Sequence, residues 1–128
     1  RDAIEHIAKI IDFNHIDFEL PLGQVTTLTK DFYFHEQAQV FQLFSHAHEL
    51  MTEFRVSAIG GDRDGQEIYF TNDWEHPPIM SYKPPLKFEV GDGVRLTATY
   101  NNTRPHEVGF GFLSTDEMMI LFGLYYND

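Results

Sequence analysis

The chain has 128 residues, with 9 Lys and Arg against 20 Asp and Glu and a formal net charge of −11 at pH 7. This length suits one domain, and 42% hydrophobic residues supply a core for it. The acidic balance disfavours nucleic acid and anionic membranes as partners, and the lack of cysteine excludes disulfides, thiolate zinc sites and cysteine nucleophiles.

The first dozen residues carry apolar side chains at helical spacing, namely Ile4, Ile7, Ala8 and Ile11. This spacing predicts a short amphipathic helix. We therefore expect an N-terminal helix or arm over residues 1–14 and a single domain over residues 15–128.

From residue 13 onward the pattern changes to short apolar or alternating stretches separated by Gly, Pro, Asn and Asp. The predicted strands are 16–20, 24–29, 32–35, 38–48, 53–59, 67–71, 86–90, 94–100, 107–113 and 118–125. A long connection rich in proline is predicted over residues 72–85. So many short strands predict an all-β fold, a two-sheet antiparallel sandwich with jelly-roll-like topology.

The most informative local pattern is His46-Ala47-His48, at the end of an apolar stretch. Side chains two apart on a strand point to the same face, so two imidazoles would lie side by side and suit one metal ion. A pair alone is weak evidence for a metal, because one histidine that faces solvent beside one that is hydrogen-bonded in the sheet gives the same pattern. The remaining histidines, at positions 6, 15, 35, 76 and 106, form no further adjacent pair.

A second pattern precedes the last strand, where Met118 and Met119 follow Thr115-Asp116-Glu117. A thioether is a soft ligand that binds Cu(I) and has little affinity for zinc or calcium. Two histidines and one methionine that converge would therefore define a copper site. The other interpretation is that both methionines fill the core.

These patterns together resemble the C-terminal catalytic domain of the copper type II, ascorbate-dependent monooxygenases, a family that includes peptidylglycine α-hydroxylating and dopamine β-monooxygenases. The resemblance rests on His46-Ala47-His48, on an alternating strand that ends in Tyr100-Asn101-Asn102 and on Thr115-Asp116-Glu117-Met118-Met119, in that order. It covers the chain from about residue 18 to 126, and the lack of cysteine is similar to the bacterial members.

The resemblance implies a jelly-roll-like β-sandwich in which His46, His48 and Met118 bind the copper that activates O2 and hydroxylates a substrate C–H bond. Ascorbate or a fused redox partner would supply the electrons. In the family, a second copper that delivers electrons lies in a separate N-terminal domain. Members of the family usually work outside the cytoplasm, so the resemblance also implies an extracytoplasmic location, periplasmic or secreted.

Three positions depart from the peptide-amidating members. Phe44 stands where they have an arginine that holds the substrate carboxylate, and Ile120 and Phe122 stand where they have an asparagine and a tyrosine. A peptide with a C-terminal glycine is therefore not the expected substrate. We expect a small, apolar substrate against a wall formed by Phe44, Ile120 and Phe122.

Two functions of different classes remain open at this point. The first is the copper-binding, catalytic half of a monooxygenase-like protein. The second is a non-catalytic β-sandwich that serves as a binding or interaction module, with or without copper.

Overall fold

The structure is a computed structural model that describes residues 7–113 and 115–127. It contains ten strands and one short 3₁₀ helix, Gly61–Arg63, which lies between the fifth and sixth strands. In chain order the strands are β1 (Lys9–Asn14), β2 (Glu19–Leu20), β3 (Val25–Tyr33), β4 (Ala38–His46), β5 (Met51–Ile59), β6 (Glu67–Thr71), β7 (Met80–Phe88), β8 (Gly93–Asn101), β9 (Val108–Gly109) and β10 (Ile120–Tyr126). Among these residues, no helix is both long and apolar enough to cross a membrane.

Eight of the strands form two antiparallel four-stranded sheets. The first sheet has the order β1-β10-β4-β7 and the second has the order β3-β8-β5-β6, while β2 and β9 make a small separate pair. The chain passes between the sheets in the order of a jelly roll. The expected all-β sandwich is thus confirmed.

The alternation of side chains explains why these segments pair as strands. In β8, Val94, Leu96, Ala98 and Tyr100 are buried, and the residues between them are exposed or half-buried. Side chains that alternate in this way place one apolar face on the core and leave the other toward solvent. The core lies between the two main sheets and includes Val40 and Leu43 of β4 and Leu121 of β10.

The prediction of an N-terminal helix is wrong over residues 7–14, the part of that segment that the structure describes. Residues 1–6 lie outside the described residues, and from Lys9 the chain forms β1, which pairs along its whole length with β10. Ile11 is buried in the core and Phe13 packs against it, whereas Asp12 between them is exposed. Burial of every second side chain against the second sheet favours a strand over a helix here.

Other strand boundaries also differ from the sequence prediction, and the strand expected at 16–20 is only β2. The two strands expected at 24–29 and 32–35 are one strand, β3, which pairs with β8 from Val25 to Tyr33 without a break. The long connection begins at residue 72 as expected but ends where β7 starts at Met80. The strand expected at 107–113 is only the two residues of β9, because the following segment folds back and bridges Phe110 to Glu117.

The position of β10 between β1 and β4 decides which side chains meet on the outer face of the first sheet. Ile120 lies opposite Asn14 on one side and opposite His46 on the other, and two residues later Phe122 lies opposite Asp12 and Phe44. Opposite residues of adjacent strands share a face. The outer face therefore carries two neighbouring rows of side chains that cross three strands.

Candidate functional site

The three ligand candidates, His46, His48 and Met118, line one cavity of about 490 Å³ on the outer face of the first sheet. His46 ends β4, His48 lies in the turn before β5, and Met118 lies two residues before β10. The ring centroids of the two histidines are 5.4 Å apart and their planes are nearly perpendicular, at 87°. Two distant stretches of chain thus bring two imidazoles and a thioether to one opening.

The two histidines do not share one strand, as the predicted strand 38–48 implied. Strand β4 ends at His46, and His48 is the first residue of a turn that is closed by a 3.2 Å hydrogen bond from the backbone N–H of Met51 to the carbonyl oxygen of His48. The His48 ring is instead held by a hydrogen bond between Nδ1 and the backbone carbonyl oxygen of Asp116, 2.8 Å away. A carbonyl only accepts, so Nδ1 carries the proton, and in the neutral ring Nε2 keeps a free lone pair.

The two adjacent methionines have different surroundings. Met119 is fully buried and belongs to the hydrophobic core, so it does fill the core. Met118 is also largely shielded from solvent, but it lies outside that core cluster and lines the cavity beside the histidines. Of the two thioethers, only that of Met118 is therefore available to a ligand in the cavity.

Glu117 links the methionine segment to the turn that carries His48. The carboxylate is fully buried and accepts hydrogen bonds from the backbone N–H of His48 at 2.8 Å, of Leu50 at 2.8 Å and of Met118 at 3.3 Å. Burial raises the pKa of this carboxyl, and the three N–H donors oppose the rise. Sequence reasoning missed Glu117, because one carboxylate among 20 acidic residues gives no sign of burial.

Tyr100 supports the same segment from β8. Its hydroxyl donates a 2.8 Å hydrogen bond to the backbone carbonyl of Met118, and the side chain is fully buried. Burial and the nearby carboxyl of Glu117 hold the pKa of Tyr100 well above its usual value. The hydroxyl therefore stays protonated and keeps donating at physiological pH.

His46 is the more exposed of the two histidines, and its pKa is still lowered. Partial burial is the larger cause, and the nearby His48 is the second. Both effects disfavour the imidazolium form. His46 is therefore neutral at pH 7, which is the form in which a histidine binds a metal ion.

The residues expected to form an apolar wall lie together on the outer face. Ile120 and Phe122 line the cavity, as does Phe112 from the preceding loop. Phe44 is not among the lining residues, but it stacks on Phe122 with a centroid distance of 5.5 Å. Phe112 is 79% exposed, so it forms a rim over the cavity from the solvent side.

Strand β1 adds two polar residues that sequence reasoning missed, Asp12 and Asn14. Both face the cavity because they lie opposite Phe122 and Ile120. The signal was present in the alternation of Ile11 and Phe13 with these polar residues, but the helical spacing of the preceding isoleucines obscured it.

Other histidines and acidic residues do not complete the site. Among residues 7–113 and 115–127, no group of three or more His, Asp or Glu side chains is placed to hold a metal ion. His6 lies outside the described residues, His15 packs against Phe18, and the exposed His76 lies 3.9 Å from the carboxylate of Asp73. The cavity thus offers two imidazoles and one thioether, a donor set that suits copper and suits Cu(I) in particular.

A family model described as copper type II ascorbate-dependent monooxygenase, C-terminal domain, matches residues 25–128. No curated protein matches the chain. The matched region begins with β3 and includes all three ligand candidates, whereas β1 and β2 precede it.

Proposed function

Because the chain belongs to the family of C-terminal domains of copper type II ascorbate-dependent monooxygenases, we propose that it binds copper through His46, His48 and Met118. In this proposal it is the copper-binding half of an enzyme that hydroxylates a C–H bond with O2. The observation that carries the proposal is that these three side chains line a single cavity.

The donor set fits the copper that the family implies. Imidazole suits both oxidation states of copper, and a thioether prefers Cu(I). Three protein ligands leave coordination positions open, and copper bound there would supply the redox centre for O2 and the substrate C–H bond. Electrons would come from ascorbate or from a redox partner, and we place the protein outside the cytoplasm.

The chain's own residues orient the ligands and shape the space beside them. The Asp116 carbonyl fixes the ring of His48 so that Nε2 is left for the metal. Glu117 holds the backbone on both sides of the cavity, which keeps the histidine turn and the methionine segment at a constant separation. Ile120, Phe122 and Phe112 present apolar surface that excludes water and fits an apolar part of a substrate.

Copper titration tests the ligand assignment. Cu(I) affinity is measured by competition with a chromophoric chelator for the wild type, for His46→Ala and for His35→Ala as the matched control. His35 is an exposed histidine that lies away from this cavity. We expect His46→Ala to lose at least about tenfold in affinity and His35→Ala to match the wild type. Equal Cu(I) affinity in all three proteins would refute the assignment.

Oxygen consumption tests catalysis. The copper-loaded protein is given ascorbate and O2 in the presence and absence of candidate apolar substrates, with His46→Ala under the same free copper as the control. The proposal expects uptake of O2 that depends on both ascorbate and His46. Tight copper binding without such uptake would favour the non-catalytic binding module instead.

A further inference from the structure

We propose that Arg104 is a positioning residue for the ligand candidate His48. Its guanidinium group joins the turn that carries His48 to the segment that holds the His48 ring, and so fixes the direction of the imidazole. This inference rests on the proposed function, because it assigns a role at the same copper site. Arg104 lies in the connection between β8 and β9, away in sequence from all three ligand candidates.

The guanidinium group of Arg104 donates hydrogen bonds to two distant parts of the chain. Nη2 donates to Oε1 of Glu49 at 2.6 Å, and Glu49 is the residue after His48. Nη1 donates to the backbone carbonyl oxygen of Thr115 at 2.5 Å, and Thr115 is the residue before Asp116. Because a guanidinium group is planar and rigid, its two N–H groups hold these two acceptors at a set separation.

The bond to Thr115 acts on the peptide unit next to the one that holds His48. The carbonyl of this unit accepts from Arg104, and its N–H, on Asp116, donates to the carbonyl oxygen of Leu113 at 2.9 Å. The following peptide unit presents the Asp116 carbonyl to Nδ1 of His48. Peptide units are planar, so only the dihedral angles at Asp116 separate the two. Arg104 therefore restricts the direction in which the Asp116 carbonyl points.

Asn102 holds the backbone of Arg104 in place. The Asn102 side chain is fully buried, and its Oδ1 accepts from the backbone N–H of Arg104 at 3.0 Å. Its Nδ2 donates to the backbone carbonyl oxygens of Leu20 and His106, both at 3.0 Å, which ties the loop to β2. The donor fork of Arg104 is thus presented from a fixed point.

The effect of Arg104 does not depend on the strength of its ion pair. The Arg104 side chain is only 16% exposed, but that of Glu49 is 57% exposed. An ion pair with one partner in solvent contributes little to stability. We therefore assign the role of Arg104 to the connection that its two N–H groups make between the two segments.

A second cavity beside His48 explains why the ring needs this support. The cavity has a volume of about 430 Å³, and the residues that line it are His48, Glu49, Trp74, Arg104, Phe112 and Thr115. His48 also lines the first cavity. A ring that borders two cavities has fewer packing contacts to hold it. Its orientation therefore depends on the hydrogen bond to the Asp116 carbonyl.

Arg104→Lys tests this inference, because lysine keeps the positive charge and lacks the rigid fork. Arg95→Lys is the matched control, since Arg95 makes two hydrogen bonds to the carboxylate of Asp31 on the outer face of the second sheet. Long-range ¹H–¹⁵N correlation spectra of the metal-free proteins at pH 8 report the tautomer of His48. Chelator competition gives the Cu(I) affinity, and urea unfolding gives the stability.

We expect the wild type and Arg95→Lys to keep the proton of His48 on Nδ1. In Arg104→Lys, His48 should become a mixture of both tautomers, and the Cu(I) affinity should fall about tenfold, as it does when a residue that orients a ligand is lost. An unchanged tautomer with unchanged affinity in Arg104→Lys would overturn the inference. Lower stability alone would overturn it too, because it would show a purely structural role.

Glu49 provides a second test that leaves Arg104 in place and changes an exposed side chain. Glu49→Gln keeps an oxygen that can accept from Nη2 of Arg104, whereas Glu49→Ala removes it. Glu49→Ala should therefore shift His48 toward the tautomer mixture, and Glu49→Gln should match the wild type. Identical His48 signals in the two variants would overturn the inference.

The tautomer is measured without copper, so the two proposals can fail separately. An unchanged His48 tautomer in Arg104→Lys, together with weaker Cu(I) binding by His46→Ala, would remove only the role of Arg104. Equal Cu(I) affinity in His46→Ala and the wild type would remove the proposed function. A shifted tautomer in Arg104→Lys would still show that Arg104 orients the His48 ring.

Discussion

The Nδ1 atom of His48 lies 2.8 Å from the backbone carbonyl oxygen of Asp116, and this contact joins the turn after β4 to the segment before β10. It fixes the orientation of the imidazole and assigns its proton, because the carbonyl can only accept. The ring is thus arranged before any metal arrives, with Nε2 directed away from the bond.

The contact predicts the tautomer of His48 in the metal-free protein. Long-range ¹H–¹⁵N correlation spectra at pH 8 should show His48 as the tautomer with a proton on Nδ1. The exposed His76, which has only a 3.9 Å approach to Asp73, is the internal control and should show the usual mixture. A proton on Nε2 of His48 would contradict the geometry and would leave the wrong nitrogen for the metal.

The buried hydrogen bonds of Glu117 predict that one substitution lowers both the stability of the fold and the affinity for copper. In Glu117→Gln the amide nitrogen replaces one carboxylate oxygen and cannot accept, so the backbone N–H of His48 or Leu50 loses its buried partner. We expect a loss of about 1–3 kcal/mol in the free energy of unfolding, measured in urea. Glu75→Gln, an exposed change of the same kind, should stay within about 0.5 kcal/mol.

The same variant should bind Cu(I) about tenfold more weakly, since residues that orient ligands affect metal affinity to that extent. Unchanged stability in Glu117→Gln would mean that the three backbone hydrogen bonds are not maintained in solution. Lower stability with unchanged Cu(I) affinity would mean that Glu117 supports the fold without positioning the ligands.

Strand periodicity was sufficient to predict the sandwich, because strands such as β8 carry their own alternation of buried and exposed side chains. The spacing of His46 and His48 likewise placed two imidazoles close together even though β4 ends between them. The contacts that organise the site could not be predicted in this way. Glu117 accepts hydrogen bonds from the backbone N–H groups of His48 and Leu50, which precede it in the sequence by 69 and 67 positions. A local sequence pattern carries no information about contacts at such a separation.

The error at the N-terminus has a similar cause. The partner of β1 is β10, at the other end of the chain, so the pairing that makes residues 9–14 a strand is invisible to a local window. Asp12 and Asn14 line the cavity only because β1 pairs with β10. Sequence reasoning therefore found the ligand candidates and missed the edge of the cavity that faces them.

The different surroundings of Met118 and Met119 predict different effects on copper affinity when each is replaced by leucine. Met118→Leu removes a thioether that lines the cavity, whereas Met119→Leu removes one from the core with little change in volume. We expect Met118→Leu to lower Cu(I) affinity at least about tenfold and Cu(II) affinity much less, because the thioether prefers Cu(I). Met119→Leu should leave both affinities unchanged.

Chelator competition for Cu(I) and tryptophan quenching for Cu(II) would measure the two affinities. Equal losses for both oxidation states in Met118→Leu would contradict a soft thioether ligand. A loss in Met119→Leu of the same size as in Met118→Leu would show that the core, not the cavity, controls copper binding.

The lowered pKa of His46 contributes to the pH dependence of copper uptake. A proton on His46 competes with the metal, so uptake weakens as pH falls. Because burial and the nearby His48 lower the pKa of His46 below 6.5, the part of this weakening that His46 causes should begin below that value. The same shift makes the unfolded chain bind this proton at higher pH than the folded chain does. The metal-free fold should therefore gain stability as pH rises from the lowered pKa of His46 to 6.5.

Two measurements check this pH dependence. The C2 proton of His46 is followed by NMR in the metal-free protein, and Cu(I) affinity is measured between pH 5 and pH 8 in the wild type and in His35→Ala. We expect a His46 midpoint below 6.5 and a decline in Cu(I) affinity that follows it in both proteins. A midpoint at or above 6.5 would show that the imidazole is more solvated than its place at the end of β4 implies.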